Sequence, residues 1–297
     1  MTTSPKIALI RTGSACWQPD DPEFTRLWLL QQHHLHAHFH PEIQDWLTPK
    51  QRADIFLQYA LDDQYEVLWS LRGGEGSADV LPYLHEHAAR IAQTKPKTLI
   101  GFSDFTAVLN YFNQVFHWPV VHGPGVVRLA RGSVHQDSVN TILALVKERN
   151  VTLPALKIKP LNAAAKISQT LTGEICGGNL SVLAISVKDI WEIQTSNKIV
   201  ILEDINEKAH KISGLLNYLQ RINILNHPRA IILGDFIFED NEKHHASIPR
   251  TLQRFADSCT FPVLQSLAFG HGKDNISLPF FREVHLHLGD KAILEIL

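Results

Sequence analysis

The sequence predicts an α/β protein: a parallel sheet with helices on both faces in its first half, then a second half built more from short strands and turns. Three observations carry this. Through the first half, short apolar runs of the kind a buried parallel strand shows alternate with stretches spaced for one apolar helix face. Beyond about residue 166, short strands and glycine-containing turns predominate. The length, 297 residues, can bury a large core and suits two domains, although one large α/β domain is within range.

The first strand is Lys6-Ile7-Ala8-Leu9-Ile10, running into Arg11-Thr12-Gly13-Ser14. A helix over Pro22 to Gln32 follows, with Phe24, Leu27, Leu29 and Leu30 apolar. Next comes a strand through the histidine run from His33 to His40, whose alternation puts His34, His36, His38 and His40 on one face. Thr48 to Ala60 reads as a helix, with Thr48 as cap and Pro49 at its first position. Tyr65 to Leu71 is the third strand. It ends in Arg72-Gly73-Gly74-Glu75-Gly76-Ser77, where three glycines in four residues allow positive φ and close backbone approach to a ligand. A helix runs from about Ala78 to Leu84. Thr98-Leu99-Ile100 is the fourth strand, and Val108, Leu109, Phe112, Val115 and Phe116 mark the amphipathic helix after it. Val120-Val121-His122-Gly123-Pro124-Gly125 reads as a further strand end.

From Val126 to about Lys166 the apolar pattern weakens, which suits a linker. The expected division is therefore a domain over 1–130, a linker over 131–165 and a second domain over 166–297. That second part holds a glycine-kinked strand through Gly173 to Gly178, a helix from Leu180 to Ile185, and the strand Lys198 to Leu202 ending at Glu203-Asp204. A helix near Ala209 to Ile224, the strand Ala230 to Asp235, and Pro262-Val263-Leu264 leading to Phe269-Gly270-His271-Gly272 complete it.

The totals exclude several classes. A net charge of -2 gives no reason to expect nucleic acid or a membrane as partner. No apolar run approaches the ~20 residues that span a bilayer. The first seventeen residues hold only four consecutive apolar ones, too few for a signal-peptide core, so the expected location is the cytoplasm. Cys16, Cys176 and Cys259 are odd in number and far apart, which indicates neither a disulfide framework nor a zinc knuckle. The histidine run, His244-His245 and His285/His287 read as solvated faces, because no nearby carboxylate or further histidine pair completes a metal shell.

The chemistry concentrates on Gly101-Phe102-Ser103-Asp104. A serine at a sharp strand-to-helix turn stands exposed at a sheet end, beside the free amides of a helix N-terminus, which favour an anion such as the oxyanion of acyl transfer. Ser103 is thus the candidate nucleophile; the competing reading is a helix cap. The match to G-x-S-x-G is incomplete, since Phe105 stands at the last glycine. A serine needs a base, and an imidazole needs a carboxylate to fix its tautomer. Glu203 at a strand end and His271 between two glycines can fill those roles. Spacing alone does not choose Glu203 over Asp204 or Asp235, nor His271 over His122.

The chain resembles the LD-carboxypeptidase family of serine peptidases, which includes muramoyltetrapeptide carboxypeptidases and microcin C self-immunity proteins. The resemblance is carried by Arg72-Gly-Gly-Glu-Gly-Ser77 with Leu81-Pro82-Tyr83-Leu84, Ile100-Gly-Phe-Ser-Asp-Phe-Thr-Ala107, and His122-Gly-Pro124. It continues through Gly177-Gly-Asn-Leu-Ser181, Leu202-Glu-Asp-Ile-Asn-Glu207, Gly234-Asp-Phe236 and Phe269-Gly-His-Gly-Lys-Asp-Asn275.

The resemblance implies a Rossmann-like N-terminal α/β domain, a smaller β-rich C-terminal domain, and an active site between them. It implies Ser103 as nucleophile, His271 as base and Glu203 as its orienting carboxylate. Backbone N–H groups of Gly74 and Asp104 would form the oxyanion hole, and Arg72, Gly73 and Glu75 would border the substrate. No metal or other cofactor is implied. The implied reaction removes the terminal D-Ala from a murein tetrapeptide in peptidoglycan recycling. The alternative is hydrolysis of an aminoacyl-nucleotide conjugate such as processed microcin C, with Trp191 as a candidate to stack on the base. A homodimer is the expected assembly.

Two departures bear on substrate. Glu75 stands where family members commonly have an aromatic, and Arg11-Thr12-Gly13-Ser14 replaces a Pro-Ser-Ser-type loop.

Overall fold

The computed structural model describes residues 4–14, 18–148, 152–225, 227–238, 242–280 and 282–297, with the side chains of 242–246 excluded. Cys16 and the His244-His245 side chains, weighed above, lie outside the described residues. The chain divides into two compact units, Met1–Val151 with Ser277–Pro279, and Thr152–Ile276 with Phe280–Leu297.

In chain order the strands are β1 (Ile7–Ile10), β2 (Ala37–His38), β3 (Val67–Ser70), β4 (Thr98–Gly101), β5 (Val120–His122), β6 (Leu156–Pro160) and β7 (Thr170–Asn179). They continue as β8 (Ile199–Ile205), β9 (Ala230–Ile237), β10 (Val263–Gln265), β11 (Leu278–Pro279), β12 (Glu283–His287) and β13 (Ala292–Ile296).

The first unit is a six-stranded sheet in the order β11-β5-β4-β3-β1-β2. Strands β1 to β5 are mutually parallel, and β11 adds antiparallel to β5. Every residue of β1, β3, β4 and β5 is buried, which is why they read as unbroken runs and not as alternation. Among the helices, Pro49–Ala60 opens as expected: Thr48 and Gln51 form a reciprocal capping box, and proline occupies the first turn.

Two expectations need correction here. The histidine run is not one strand. The helix Asp21–His33 takes its first histidine, and His34 closes that helix at φ 56. Only Ala37–His38 pair in the sheet, and His40 caps the short helix Pro41–Gln44. The left-handed turn at His34 resets the chain's direction. Alternation then holds over a few residues, with Leu35 and Ala37 buried and His36 and His38 exposed.

The stretch 131–165 is not a linker. It contains the helix Gln136–Lys147, which buries Val139, Ile142, Leu143 and Val146, and it also holds β6. The polar residues interleaved with them, the exposed Asn140 and the buried Thr141 among them, dilute the apolar pattern. The division falls instead between Val151 and Thr152.

The second unit is a closed seven-stranded barrel, β10-β6-β13-β12-β7-β8-β9. Strands β7, β8, β9 and β10 run parallel, and the remaining pairings are antiparallel. Helices Ala209–Arg221 and Glu242–Ser258 supply Ile212, Leu216, Leu219, Ile248, Leu252 and Phe255 to a core shared with Val200, Leu202, Ile231 and Leu233 of the parallel strands. No helix among the described residues is long and apolar enough to cross a membrane.

Candidate active site

In the first unit, β4 ends at Gly101, and Ser103–Phe105 form a single 3-10 turn that leads into the helix Thr106–Phe116. Ser103 sits at φ 59, a left-handed conformation uncommon for a residue with a side chain and frequent where function holds the backbone strained. The cap position of the turn is Phe102, so Ser103 is not the cap. The neighbouring residues explain the departure from G-x-S-x-G. Phe105 is buried, and its ring lies where a Cβ on Gly101 would come within 2.5 Å. Glycine is therefore required before the serine, and an aromatic fills the space after it.

The glycine loop after β3 lies directly against the serine. A Cβ on Gly73 would stand 2.7 Å from Ser103 Cβ, 2.8 Å from its Oγ and 3.5 Å from the Asp104 nitrogen. Gly74 adopts φ +124 and Gly76 φ +88, conformations that side chains resist. This places Gly73 and the Asp104 amide around one serine hydroxyl.

A buried polar network fixes these loops, and the sequence reading did not anticipate it. Asp104 Oδ2 accepts from the Ser77 amide at 3.0 Å and from the Ser77 hydroxyl at 2.6 Å. The Ser77 hydroxyl also lies 2.7 Å from that of Thr12. Arg52 donates to the Thr12 carbonyl and, at 3.2 Å, to that of Gly76. The first loop, the glycine loop and the serine turn are thus tied together through Asp104. Burial pushes the Asp104 carboxyl up from its ordinary value, while the hydrogen bonds from Ser77 oppose that shift. The one available signal was Ser77, the last residue of the glycine motif.

Beside this network is a pocket of about 340 Å³ lined by Arg11, Asp45, Trp46, Arg52, Glu75 and Asp79, among others. Asp45, Glu75 and Asp79 are exposed, and Trp46 is 90% exposed.

In the second unit, His271 Nδ1 lies 2.6 Å from Glu203 Oε2, and Glu203 is completely buried. Glu203 sits at an irregularity in β8, where the register against β9 shifts between Leu202 and Asp204. A bulge of this kind re-aims a side chain.

The three carboxylates that spacing left open have different partners. Asp204 accepts from Asn179 Nδ2 at 3.0 Å, from the Ser181 amide at 3.0 Å and from the Ser181 hydroxyl at 2.7 Å. It braces the turn from β7 into the helix Leu180–Ala184. Burial, with the charge of Glu203 adding to it, pushes the Asp204 carboxyl up to about 6, against the pull of those hydrogen bonds. Asp235 is also pushed up to about 6, chiefly by burial, while the Gly272 amide opposes the shift. It underpins the histidine turn: a Cβ on Gly270, which is at φ +125, would meet Asp235 Cβ at 2.9 Å.

His122 is fully buried at the end of β5, in register with Gly101, which suits the anchor reading better than a catalytic one. Trp191 is 1% exposed and belongs to the core.

Residues 10–123 match the N-terminal domain of the LD-carboxypeptidases, and residues 172–286 match their C-terminal domain. A Rickettsia conorii protein that carries a carboxypeptidase name is 32% identical over 214 residues, an alignment taking in 72% of this chain and 65% of that one. The chain thus spans a little under two thirds of that relative's length. The murein tetrapeptide carboxypeptidase of Pseudomonas aeruginosa is 27% identical over 233 residues, 77% of this chain and 72% of that one. The muramoyltetrapeptide carboxypeptidase of Oxalobacter formigenes shares the fold, with a TM-score of 0.82 over 98% of both chains at 22% identity.

Proposed function

The chain belongs to the LD-carboxypeptidase family, and from that premise we propose that it is a serine carboxypeptidase that removes the terminal D-Ala from murein tetrapeptides during cytoplasmic peptidoglycan recycling. The observation that carries this reading is the buried Glu203 carboxylate 2.6 Å from His271 Nδ1. A carboxylate there fixes the imidazole with Nδ1 protonated, so that the unprotonated Nε2 is the nitrogen that accepts a proton from a nucleophile.

Ser103 Oγ attacks the carbonyl of the penultimate diamino acid and passes its proton to His271. Glu203 stabilises the imidazolium so formed. The tetrahedral oxyanion takes hydrogen bonds from the Gly74 and Asp104 amides. Collapse breaks the C–N bond, and His271 returns the proton to the departing D-Ala amine. Water, activated by the same imidazole, then hydrolyses the ester on Ser103. This reading uses no metal or cofactor. Arg72, Gly73 and Glu75 border the substrate, and the working form is a homodimer.

The aminoacyl-nucleotide alternative looked to Trp191 to stack on a base. An indole 1% exposed in the core does not serve that purpose. The test is incubation of the purified protein with L-Ala-γ-D-Glu-meso-diaminopimelate-D-Ala and with its L-Ala-terminated analogue. Release of one D-Ala from the first and nothing from the second is expected. No release by the folded protein contradicts the reading, and cleavage of an aminoacyl-sulfamoyl adenosine in its place transfers it to the alternative.

A further inference from the structure

Outside the residues used above, β12 and β13 place three metal-binding side chains together. His285 and His287 are two apart on β12 and so share one face of the strand. Their ring centroids lie 6.1 Å apart. Across the antiparallel pairing His285 stands opposite Glu295, and His287 stands opposite Ile293, so Glu295 is diagonal to His287. One ligand atom from each of His285, His287 and Glu295 falls within 4.8 Å of the others. The sequence offered the two histidines as a solvated face without a carboxylate; the strand register supplies Glu295.

We propose that His285, His287 and Glu295 form a binding site for one divalent transition-metal ion of the zinc type. The donor set is two imidazoles and one carboxylate, with a fourth position open to water, a combination that suits zinc and not magnesium or calcium. His287 Nε2 already lies 3.1 Å from Glu295 Oε2. That approaches the ~3.3 Å separation of two ligands bonded at the usual zinc distances in a tetrahedron.

The second ring nitrogen of His287 is also accounted for. Thr170 of β7, paired with His287 across the sheet, has its hydroxyl 2.9 Å from Nδ1. With Nδ1–H donating to Thr170, the Nε2 lone pair points to the metal, the arrangement by which outer partners orient ligating histidines. Glu174 and Glu283, paired with each other further along the same two strands, lie on this face by strand parity and add negative charge near the ion. Bound metal would clip β12 to β13 within the barrel and stabilise the second unit, since it binds the folded pairing and not the separated strands.

The experiment is titration of the full chain with zinc sulfate by isothermal calorimetry, followed by thermal unfolding with and without the metal. Wild type is expected to bind one ion in the micromolar range and to unfold at a higher temperature with zinc. His287→Gln should weaken that binding at least ~10-fold, and Thr170→Val should weaken it ~10-fold, as loss of an outer partner does. Both variants should unfold like wild type in the absence of metal, because the substitutions lie at the protein surface. The exposed His36 and His38 provide the rival site. Zinc binding that survives His285→Gln/His287→Gln unchanged but disappears in His36→Gln/His38→Gln overturns the assignment, and so does the absence of any micromolar binding by wild type.

Discussion

Replacing Gly73 with alanine tests whether the glycine loop is set against the nucleophile. Gly73 is not among the glycines at positive φ, so its backbone accepts alanine without conformational strain. The added methyl is the whole perturbation. It would stand 2.7 Å from Ser103 Cβ and 2.8 Å from Ser103 Oγ, where ordinary contact begins at 3.4 Å. Either the serine or the loop must therefore give way by roughly 0.6 Å, in an active site where a misplacement of ~1 Å can cost ~100-fold. Moving the serine displaces the nucleophile, and moving the loop displaces the Gly74 amide. We expect kcat/KM for D-Ala release to fall by ~30- to 100-fold, or ~2 to 2.7 kcal/mol of transition-state stabilisation. Movement of the serine lowers kcat alone, whereas movement of the loop also raises KM, because Gly73 and Glu75 border the substrate. Liquid chromatography of released D-Ala gives the rates, and circular dichroism on heating checks that the variant is folded. A folded Gly73→Ala protein within twofold of wild type would refute the reasoning, since the methyl would then have room the structure does not show.

Three further outcomes follow from the same geometry. Glu203→Gln should lower kcat by ~10³- to 10⁴-fold with little change in KM, because a neutral amide neither holds the imidazole tautomer nor stabilises its cation; steady-state kinetics decide it, and a loss under tenfold speaks against the pair. Glu75→Gln should raise KM for the tetrapeptide several-fold with kcat nearly unchanged, as the carboxylate beside Asp45 and Asp79 meets the free amine of the diamino acid; an unchanged KM removes that role. Asp204 gives a pH signature. Its carboxyl keeps a proton to about 6 in the fold, against 3.8 ordinarily, so the native state binds more protons than the unfolded one between those values. Stability from this group is thus greatest below pH 3.8 and falls as pH rises to about 6, by ~3 kcal/mol. Asp204→Asn lacks that slope, so the Tm of wild type should fall relative to the variant between pH 4 and pH 7, and a constant difference across that range contradicts it.

Much of the first unit was legible because its strands are buried on both faces and show as apolar runs, and because Thr48-Pro49 announces a helix start. The histidine run misled because period-two alternation is also produced by a helix end, a left-handed residue and two paired residues in succession. The helix Gln136–Lys147 was hidden by polar residues among its apolar ones, two of which, Ser138 and Thr141, are themselves buried.

At the site, the serine turn and the glycine loop were each readable from local chain chemistry. Their contact was not, because Gly73 and Ser103 are thirty residues apart and meet only through the register of β3 and β4. Spacing left Glu203 and Asp204 open and only the resemblance separated them; the physical difference is the bulge in β8 that sets Glu203 against His271, which leaves no mark on composition. Asp104 was credited only with its amide; its carboxylate's partners, Ser77 and, through it, Thr12, come from two other loops. Glu295 joined His285 and His287 only once strand register was known.

Acylation of Ser103 by a muropeptide is the central step, and it can be caught directly. Wild type and Ser103→Ala are mixed with L-Ala-γ-D-Glu-meso-diaminopimelate-D-Ala, quenched in acid at short times, and the products and intact protein masses are read by mass spectrometry. Wild type should lose one D-Ala from the substrate and carry a transient tripeptide adduct, mapped to Ser103, with neither in the variant. D-Ala released by Ser103→Ala at the wild-type rate would contradict it.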